Sequence, residues 1–348
     1  HFHEHGHALF VETDASSGNQ IVSYRRAPDG TISFAGRYRT NGNGATAAGA
    51  TADPLASQGG LALINHGAEL VATNAGSDTI TVFAVEGTHL TYLQQLPSGG
   101  QFPVSVAAHG RYLAVLNSGG AGSVEQFRIF GGFVDPHSAQ VRTLGLSNTT
   151  PPDYLHGAGE VGYTPDGRHL VVTTKASSNS FEVYSVGDHG QLAATPVVTA
   201  ANNAVPFAFT FDNAGHLVAT EASNSSVSVY VVEANGTLSS LGTVSDGAKA
   251  LCWIATSNGY FFGDNAGSGT VSSFDENVSG APQLVAATAA TAHAGTTDPV
   301  VSPDGRFLYV ESGGAGTLDG YAIGAGGSLA QIETIYNLPV ASEGIAAS

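Results

Sequence analysis

A pattern of two short apolar strands joined by a turn of small residues recurs seven times along the chain. Its clearest copy is RHLVVTTKASSNSFEVY at 168–184, where one strand ends at the polar Lys175 and the next ends at an aromatic residue. In every copy the aromatic residue follows the polar one by nine or ten positions. These aromatic residues are Tyr24, Phe83, Phe127, Tyr184, Tyr230, Phe274 and Tyr321, spaced 44 to 59 residues apart. A period of roughly 40–50 residues is typical of four-stranded propeller blades, so the repeat predicts seven blades.

The sequence around each copy supplies two further strands. In the fifth repeat the four predicted strands are 206–212, 216–222, 226–233 and 237–244, separated by turn-forming residues. Only three strands precede the second repeat, and the final EGIAAS at 343–348 resembles the strand start GGLALI at 59–64. We therefore predict an all-β, seven-bladed β-propeller whose C-terminal strand joins the N-terminal blade and closes the ring. It forms one domain over 1–348, with 1–6 as a His-rich tail.

The charge balance narrows the range of partners. Eleven basic and 28 acidic residues give a formal net charge of −17, which repels nucleic acids and anionic membranes. We expect a small-molecule substrate or ligand, no nucleic acid and no membrane. The sequence leaves the oligomeric state open and slightly favours a monomer. The chain has one cysteine, no methionine and begins at His1. We read this as either a processed precursor or a trimmed chain, without an internal disulfide.

The polar residues at the seven strand ends are equivalent by rotation, so we expect them to form a ring around the central channel. They are Asp14, Asn74, Asn117, Lys175, Glu221, Asn265 and Ser312. Asn74, Asn117 and Asn265 either cap their turns or bind substrate. Lys175 is unusual because the chain has only two lysines, and Glu221 takes the next place in the ring. We predict that Lys175 and Glu221 pair across adjacent blades and face the channel.

A second set of candidates lies where the inner strands begin. Glu160 and Asp298 are predicted to point toward the channel, where they bind substrate or hydrogen-bond to water and backbone. Phe102, Phe207 and Trp253 either wall an apolar pocket or pack in the core. Two inserted loops, a flexible one at 40–58 and a proline-stiffened one at 145–158, are expected on the same face as the ring. His156, near the end of the second loop, is the histidine best placed to act as a general base.

The N-terminal sequence HFHEHGH places histidines at alternate positions. An extended chain would align His1, His3, His5 and His7 on one side, where they could bind copper, nickel or zinc. Binding by a loose tail without functional meaning is the alternative. No G-x-S-x-G elbow, P-loop, dinucleotide fingerprint or Cys/His zinc spacing occurs, which disfavours serine hydrolases and nucleotide enzymes.

Nearly the whole chain resembles the lactonase-family seven-bladed propellers, a group that includes 6-phosphogluconolactonases and carboxymuconate lactonising enzymes. The matching stretches include SQGGLALI, VATNAGSDTITVF, YTPDGRHLVVTTK and SPDGRFLYVESGG. It is most similar to a branch of secreted actinobacterial lactonase-like proteins, which implies a secreted bacterial protein. The resemblance implies that Glu221 is an acid/base candidate and that His156 lies in the region of a family histidine. The family's substrate-binding arginines have no match here, and Lys175 is the only cation of the ring.

The leading hypothesis is a hydrolase of lactones or cyclic esters that works at the mouth of the channel and requires no cofactor. Glu221 or His156 would activate water, and Lys175 would stabilise the oxyanion. One alternative is a non-catalytic secreted propeller that binds a ligand or protein on the same face. Another is a metal-dependent lactonase with calcium held in the channel by oxygen ligands from Asp14, Asn74, Asn117, Glu221 and Asn265.

Overall fold

A computed structural model of the chain describes residues 6–202 and 204–348. Within these residues, strands β1 to β28 form seven separate four-stranded sheets in which neighbouring strands run antiparallel. Each sheet is one blade. The predicted all-β, seven-bladed propeller is confirmed.

The blades are numbered in chain order, and the strands of each are given from the channel outward. The first blade contains β28 (Ile345–Ala347), β1 (His7–Glu12), β2 (Gln20–Arg26) and β3 (Ile32–Arg39). The second contains β4 (Leu61–Ile64), β5 (Glu69–Asn74), β6 (Thr79–Glu86) and β7 (His89–Pro97). The third contains β8 (Pro103–His109), β9 (Tyr112–Asn117), β10 (Ser123–Phe130) and β11 (Phe133–Thr143).

The remaining four blades follow the same order without exception. The fourth contains β12 (Val161–Tyr163), β13 (His169–Thr173), β14 (Ser180–Ser185) and β15 (Val197–Ala200). The fifth contains β16 (Pro206–Phe211), β17 (Leu217–Glu221), β18 (Ser226–Val232) and β19 (Leu238–Ser245). The sixth contains β20 (Leu251–Ser257), β21 (Tyr260–Asn265), β22 (Thr270–Glu276) and β23 (Pro282–Thr291). The seventh contains β24 (Thr296–Val301), β25 (Phe307–Ser312), β26 (Thr317–Ile323) and β27 (Leu329–Ile335).

The C-terminal strand closes the ring. β28 pairs with β1 in antiparallel register, with Leu9 opposite Ala347 and Val11 opposite Ile345. The two ends of the chain therefore share one sheet, and the first blade has no open inner edge. This closure is the one predicted from the likeness of the two strand sequences.

Position within a blade sets the burial pattern of each strand. The second strands are covered on both faces by neighbouring blades, and every residue of β13 is buried. The outer strands are mostly half-buried or exposed, as in β19 and β27. Within 6–202 and 204–348, helical structure is confined to one turn, α1 (Lys175–Ser178), and three 3-10 turns, at Asn65–Gly67, Ala222–Asn224 and Ala325–Gly327. None of these described helical segments could cross a membrane.

The antiparallel order of the strands gives the propeller two distinct faces. Connections from second to third strands, and from one blade to the next, lie on one face, here called the ring face. Connections from first to second and from third to fourth strands lie on the opposite face, here called the hairpin face. Lys175, Glu221 and both inserted loops, 40–58 and 145–158, therefore belong to the ring face.

Candidate functional site

Residues 52–58 of the first inserted loop cross the channel on the ring face, and we call them the plug. Leu55 donates its backbone N–H at 2.8 Å to Oε1 of Glu343, which lies two residues before the strand that closes the first blade. Ser57 Oγ donates to the carbonyl oxygen of Val104 in the third blade at 2.7 Å. The backbone N–H of Gln58 donates to the carbonyl of Gly159, which precedes the fourth blade, at 3.0 Å. The inner strands of these blades approach one another only near the axis, so the plug covers the channel.

The sixth and fifth blades hold the plug from the other side. Trp253 Nε1 donates to the carbonyl oxygen of Ser57 at 2.8 Å. The backbone N–H of Ile254 donates to Gln58 Oε1 at 2.9 Å, and Gln58 Nε2 lies 3.5 Å from the carbonyl oxygen of Phe209. Leu55, Ala56 and Ser57 are at most 2% exposed. The prediction of a flexible loop at 40–58 is therefore wrong for this part, because its polar groups are bonded and its apolar side chains are buried.

The two inserted loops are joined to each other. Ala48 and Asp153 form an isolated parallel bridge, in which Ala48 N–H bonds to Pro152 at 2.8 Å and Tyr154 N–H bonds to Ala48 at 3.0 Å. The loop that carries His156 is thus fixed to the loop that forms the plug. Together they make one ordered cover over the ring face.

Lys175 lies beneath this cover and bonds to both loops. Its Nζ donates to the carbonyl oxygen of Ala56 at 2.8 Å and to that of Tyr154 at 2.5 Å, and it lies 5.5 Å from the centre of the Phe207 ring. The residue is 1% exposed. Burial lowers the pKa of its ammonium group to about 8, opposed chiefly by the negative charge of Asp53. Its φ of 48° is uncommon outside glycine and holds the turn in a strained conformation.

The predicted pairing of Lys175 with Glu221 is wrong. No ion pair links them among the residues that the structure describes. Glu221 turns instead toward its own blade, where Tyr230 donates its hydroxyl to Glu221 Oε1 at 3.2 Å. Burial raises the pKa of Glu221, and hydrogen bonds from Ser228 and Tyr230 offset part of that effect. The rotational symmetry of the repeats correctly predicts the backbone positions of Lys175 and Glu221. The side chain of each residue, however, forms hydrogen bonds with a nearer partner.

The three ring asparagines are fully buried and bond within the propeller. Asn74 donates to Thr79 and Thr81 of the next strand and accepts hydrogen bonds from Asn19 and Thr40. Asn265 donates in the same way to Thr270 and Ser272. Asn117 donates to Ser98 and Ser123. These contacts stabilise the turns, which is the structural role foreseen for these side chains, and their predicted substrate contacts remain a prediction.

The two predicted channel acids both accept hydrogen bonds from the backbone of a neighbouring blade. Glu160 Oε1 accepts from Phe209 N–H at 3.0 Å, and Asp298 Oδ2 accepts from Gly344 N–H at 3.0 Å. Burial raises the pKa of Asp298 to about 8 and raises that of Glu160 strongly. These hydrogen bonds link neighbouring blades. Substrate binding by either residue is not required to explain it.

More carboxyl groups surround the channel than the sequence pattern indicated. Besides the ring residue Asp14, they include Glu12, Asp264, Glu311 and Glu343, and all five are at most 5% exposed. Burial raises the pKa of each of them, and that of Glu12 reaches about 8. Asp264 and Glu311 directly precede the ring residues of their strands, which was the available signal. The calcium site proposed from sequence, with Asp14 and Glu221 among its ligands, remains untested.

The predicted aromatic wall is part of the core beneath the plug. Phe102, Phe207 and Trp253 are at most 4% exposed. Phe207 and Trp253 pack edge to face with ring centres 5.0 Å apart. Core packing, the second of the two roles foreseen for these residues, describes their arrangement.

His156 is the one predicted catalytic residue that faces solvent. Its side chain is 47% exposed, and its Nδ1 lies 2.8 Å from Asp153 Oδ1. The hydrogen bond with His156 lowers the pKa of Asp153. With Nδ1 held by the carboxylate, Nε2 is left to accept a proton. Asp153 was missed in the sequence, although its place three residues before His156 in a short loop was a usable signal.

The N-terminal metal hypothesis falls largely outside the described residues. His1, His3 and His5 precede residue 6, whereas His7 begins β1 with an exposed side chain. The hypothesis stays a prediction.

A family model described as "Lactonase, 7-bladed beta-propeller" matches residues 1–129 and 134–253, well over half of the chain. No curated protein sequence matches significantly.

Solved structures match over almost the full length. A Bacteroides fragilis protein provisionally assigned as a 6-phosphogluconolactonase has a TM-score of 0.79 at 16% identity, covering 100% of this chain and 99% of its own. The periplasmic gluconolactonase of Pseudomonas aeruginosa has a TM-score of 0.78 at 20% identity, with 98% of each chain covered. A Lactobacillus plantarum protein has a TM-score of 0.78 at 19% identity, with 99% of each chain covered. At these identities the likeness shows the fold alone.

Proposed function

Because this chain belongs to the lactonase family of seven-bladed β-propellers, we propose that it hydrolyses a lactone on the ring face, beside the plug. The observation that carries the proposal is the Asp153–His156 pair, with 2.8 Å between Oδ1 and Nδ1 on a solvent-facing loop. A carboxylate that orients an imidazole is the arrangement expected of a general base. Tyr154 and Leu155, 37% and 38% exposed, offer apolar surface next to it for the body of the substrate.

The proposed reaction uses water as the nucleophile. His156 Nε2 takes a proton from water while the oxygen adds to the lactone carbonyl carbon, forming a tetrahedral intermediate. Collapse of the intermediate breaks the bond between the carbonyl carbon and the ring oxygen. The proton held by His156 passes to the departing ring oxygen, and the product is the open hydroxy acid. The Asp153 carboxylate stabilises the imidazolium that forms between these steps.

In this proposal Lys175 acts as a positioning residue instead of an oxyanion donor. Its Nζ is bonded to Ala56 and Tyr154 and is buried below the loop that carries the histidine. The bond to Tyr154 fixes the backbone two residues before His156. Glu221, bonded within its own blade, has no assigned part in the chemistry.

The acidic character of the chain supports a neutral or singly charged lactone over a phosphorylated one. A formal net charge of −17 disfavours a dianionic substrate. Secretion, inferred from sequence, stays a proposal. The periplasmic location stated for the Pseudomonas aeruginosa gluconolactonase is consistent with it.

The proposal is tested by offering the protein a panel of five- and six-membered lactones. The release of hydroxy acid is measured by pH-stat titration. The wild type should hydrolyse at least one of them, and Asp153→Asn should lower kcat/KM for that lactone by roughly tenfold or more. His137→Ala, which removes an exposed histidine of β11, is the matched control and should not change the rate. Absence of hydrolysis across the panel, with ligand binding retained, would favour the non-catalytic alternative.

A further inference from the structure

The junction of the fifth and sixth blades on the hairpin face brings together two carboxylates and an imidazole. Asp212 and His216 lie in the turn between β16 and β17, and Glu276 ends β22 of the next blade. One ligand atom from each of the three lies within 4.8 Å of the others. This is the only such trio of His, Cys, Asp or Glu side chains found in 6–202 and 204–348.

The three side chains are oriented by the turn itself. Asp212 Oδ1 accepts the backbone N–H groups of Ala214 and His216, at 2.9 and 2.8 Å. This leaves Oδ2 to meet His216 Nδ1 at 2.8 Å. Glu276 approaches from the other blade, and its Oε1 is shielded from solvent without a hydrogen-bond partner.

The internal symmetry of the propeller shows that this combination is particular to one junction. Glu276 lies two residues after the repeat aromatic Phe274. The same position in five other blades is apolar: Val85, Ile129, Val186, Val232 and Ile323. In the first blade it is Arg26, whose Nη1 lies 3.6 Å from Asp304 Oδ2 in the turn of the seventh blade.

The junction of the seventh and first blades thus pairs opposite charges, whereas the junction of the fifth and sixth pairs like charges. A cavity of about 330 Å³ adjoins this junction, and its lining includes Asp212, His216 and Glu276. The described residues that line it include no Lys or Arg. Two carboxylates this close in a half-buried junction, with no Lys or Arg beside them, repel each other at a cost in free energy. A bound cation would remove that cost and would use the unpartnered Oε1.

We propose that Asp212, His216 and Glu276 bind a divalent transition-metal ion that links the fifth and sixth blades, and that zinc is the best match. Imidazole together with carboxylate oxygen is a ligand set that zinc accepts. Two ligands of one zinc ion lie at most about 4.2 Å apart, twice a bond of roughly 2.1 Å. A small movement of the half-exposed Glu276 side chain reaches that spacing. The cavity leaves room for water to complete the coordination.

The site is tested with the full chain carrying His1→Ala, His3→Ala and His5→Ala, so that the N-terminal histidines do not bind the probe. After dialysis against EDTA, titration with zinc chloride should show one tight ion per chain. Glu276→Gln and His216→Ala should each weaken binding by roughly tenfold or more. Asp275→Asn, the matched control, removes a neighbouring charge without removing a ligand and should leave the affinity within about twofold.

A second variant keeps the test decisive if the ligand substitutions lower stability. Glu276→Val restores the kind of residue found in the other blades and should abolish the rise of Tm with zinc while increasing Tm in EDTA. Anomalous diffraction at the zinc edge should place the ion between Asp212 and Glu276. Equal zinc affinity in the parent and Glu276→Gln chains, or equal loss in the Asp275→Asn control, would overturn the proposal.

Discussion

Lys175 Nζ lies 2.8 Å from the main-chain carbonyl oxygen of Ala56, although 119 residues separate the two in sequence. The same nitrogen bonds to Tyr154, so a single buried ammonium group connects the plug to the loop of His156. Lys175 was singled out in the sequence because it is the only cation among the ring residues. In the structure it is the point where the cover of the ring face is attached. Its proposed contribution to activity is the placement of that loop.

Replacing Lys175 with methionine should loosen both loops. The change leaves two buried carbonyl groups without their donor, and we expect the free energy of unfolding to fall by about 2–4 kcal/mol. Urea denaturation measures this loss, and limited proteolysis should show new cleavage within 40–58 or 145–158. If loop placement matters for the reaction, kcat/KM should also fall at temperatures well below Tm.

The matched control is Lys249→Met, because Lys249 is the other lysine of the chain and is exposed. Lys249→Met should lower the free energy of unfolding by less than about 0.5 kcal/mol. Similar stability and cleavage patterns for the two variants would contradict the assignment of Lys175 as the attachment point.

Gly313 is expected to accept no side chain, because the plug passes directly against it. A Cβ built there would lie 1.9 Å from the carbonyl oxygen of Ala52. Gly313→Ala should displace the plug and lower stability by roughly 1–3 kcal/mol. Trp253 is the only tryptophan, and its Nε1 bonds to Ser57 of the plug, so its fluorescence should report the displacement.

Gly36→Ala is the control for that experiment. The three atoms nearest to a Cβ added there all belong to the half-buried Tyr38 side chain of the outer strand β3, the closest at 3.3 Å. The tryptophan emission of Gly36→Ala should match the wild type. An unchanged emission spectrum in Gly313→Ala as well would mean that the plug does not occupy the position described.

The buried channel acids should make the fold more stable in acid than in base. The folded-state pKa of Glu12 and of Asp298 is about 8, against ordinary values of 4.5 and 3.8. Such groups stabilise the fold fully below their unfolded pKa, and that contribution is lost as the pH rises through about 8. Differential scanning calorimetry should therefore show Tm falling between pH 5 and pH 9.

Asp298→Asn removes one of these titrations while keeping an oxygen that can accept from Gly344. Its Tm should fall less steeply with pH than that of the wild type, whereas Asp188→Asn, on the surface, should follow the wild-type curve. A wild-type Tm that rises over this pH range would contradict the account of the channel.

The repeat pattern was sufficient to predict the blades, because apolar and polar residues alternate within the strands and the turns recur at a regular spacing. It also predicted that the final residues would pair with β1, since they resemble another inner strand. The strands of the fifth blade, at Pro206–Phe211, Leu217–Glu221, Ser226–Val232 and Leu238–Ser245, agree with prediction to within about two residues at each end.

The plug could not be predicted because its partners lie far away in sequence. Residues 40–58 are rich in glycine, alanine and threonine, a composition that suggests flexibility when considered alone. Their order comes from contacts with Glu343, Lys175 and Trp253, which only the closed ring brings together. The error over Glu221 has a similar origin: rotational symmetry positions the backbone, whereas the side chain follows nearby donors such as Tyr230.

The most direct test of the proposed function is the hydrolysis rate of the best lactone substrate with wild type, His156→Ala and His137→Ala compared at pH 7.5. If His156 is the general base, His156→Ala should lower kcat by about 10²- to 10⁴-fold with little change in Tm, because its side chain is exposed, and His137→Ala should retain full activity. A His156→Ala chain that turns over the same lactone at the wild-type rate would contradict the assignment of the ring-face histidine as the catalytic base.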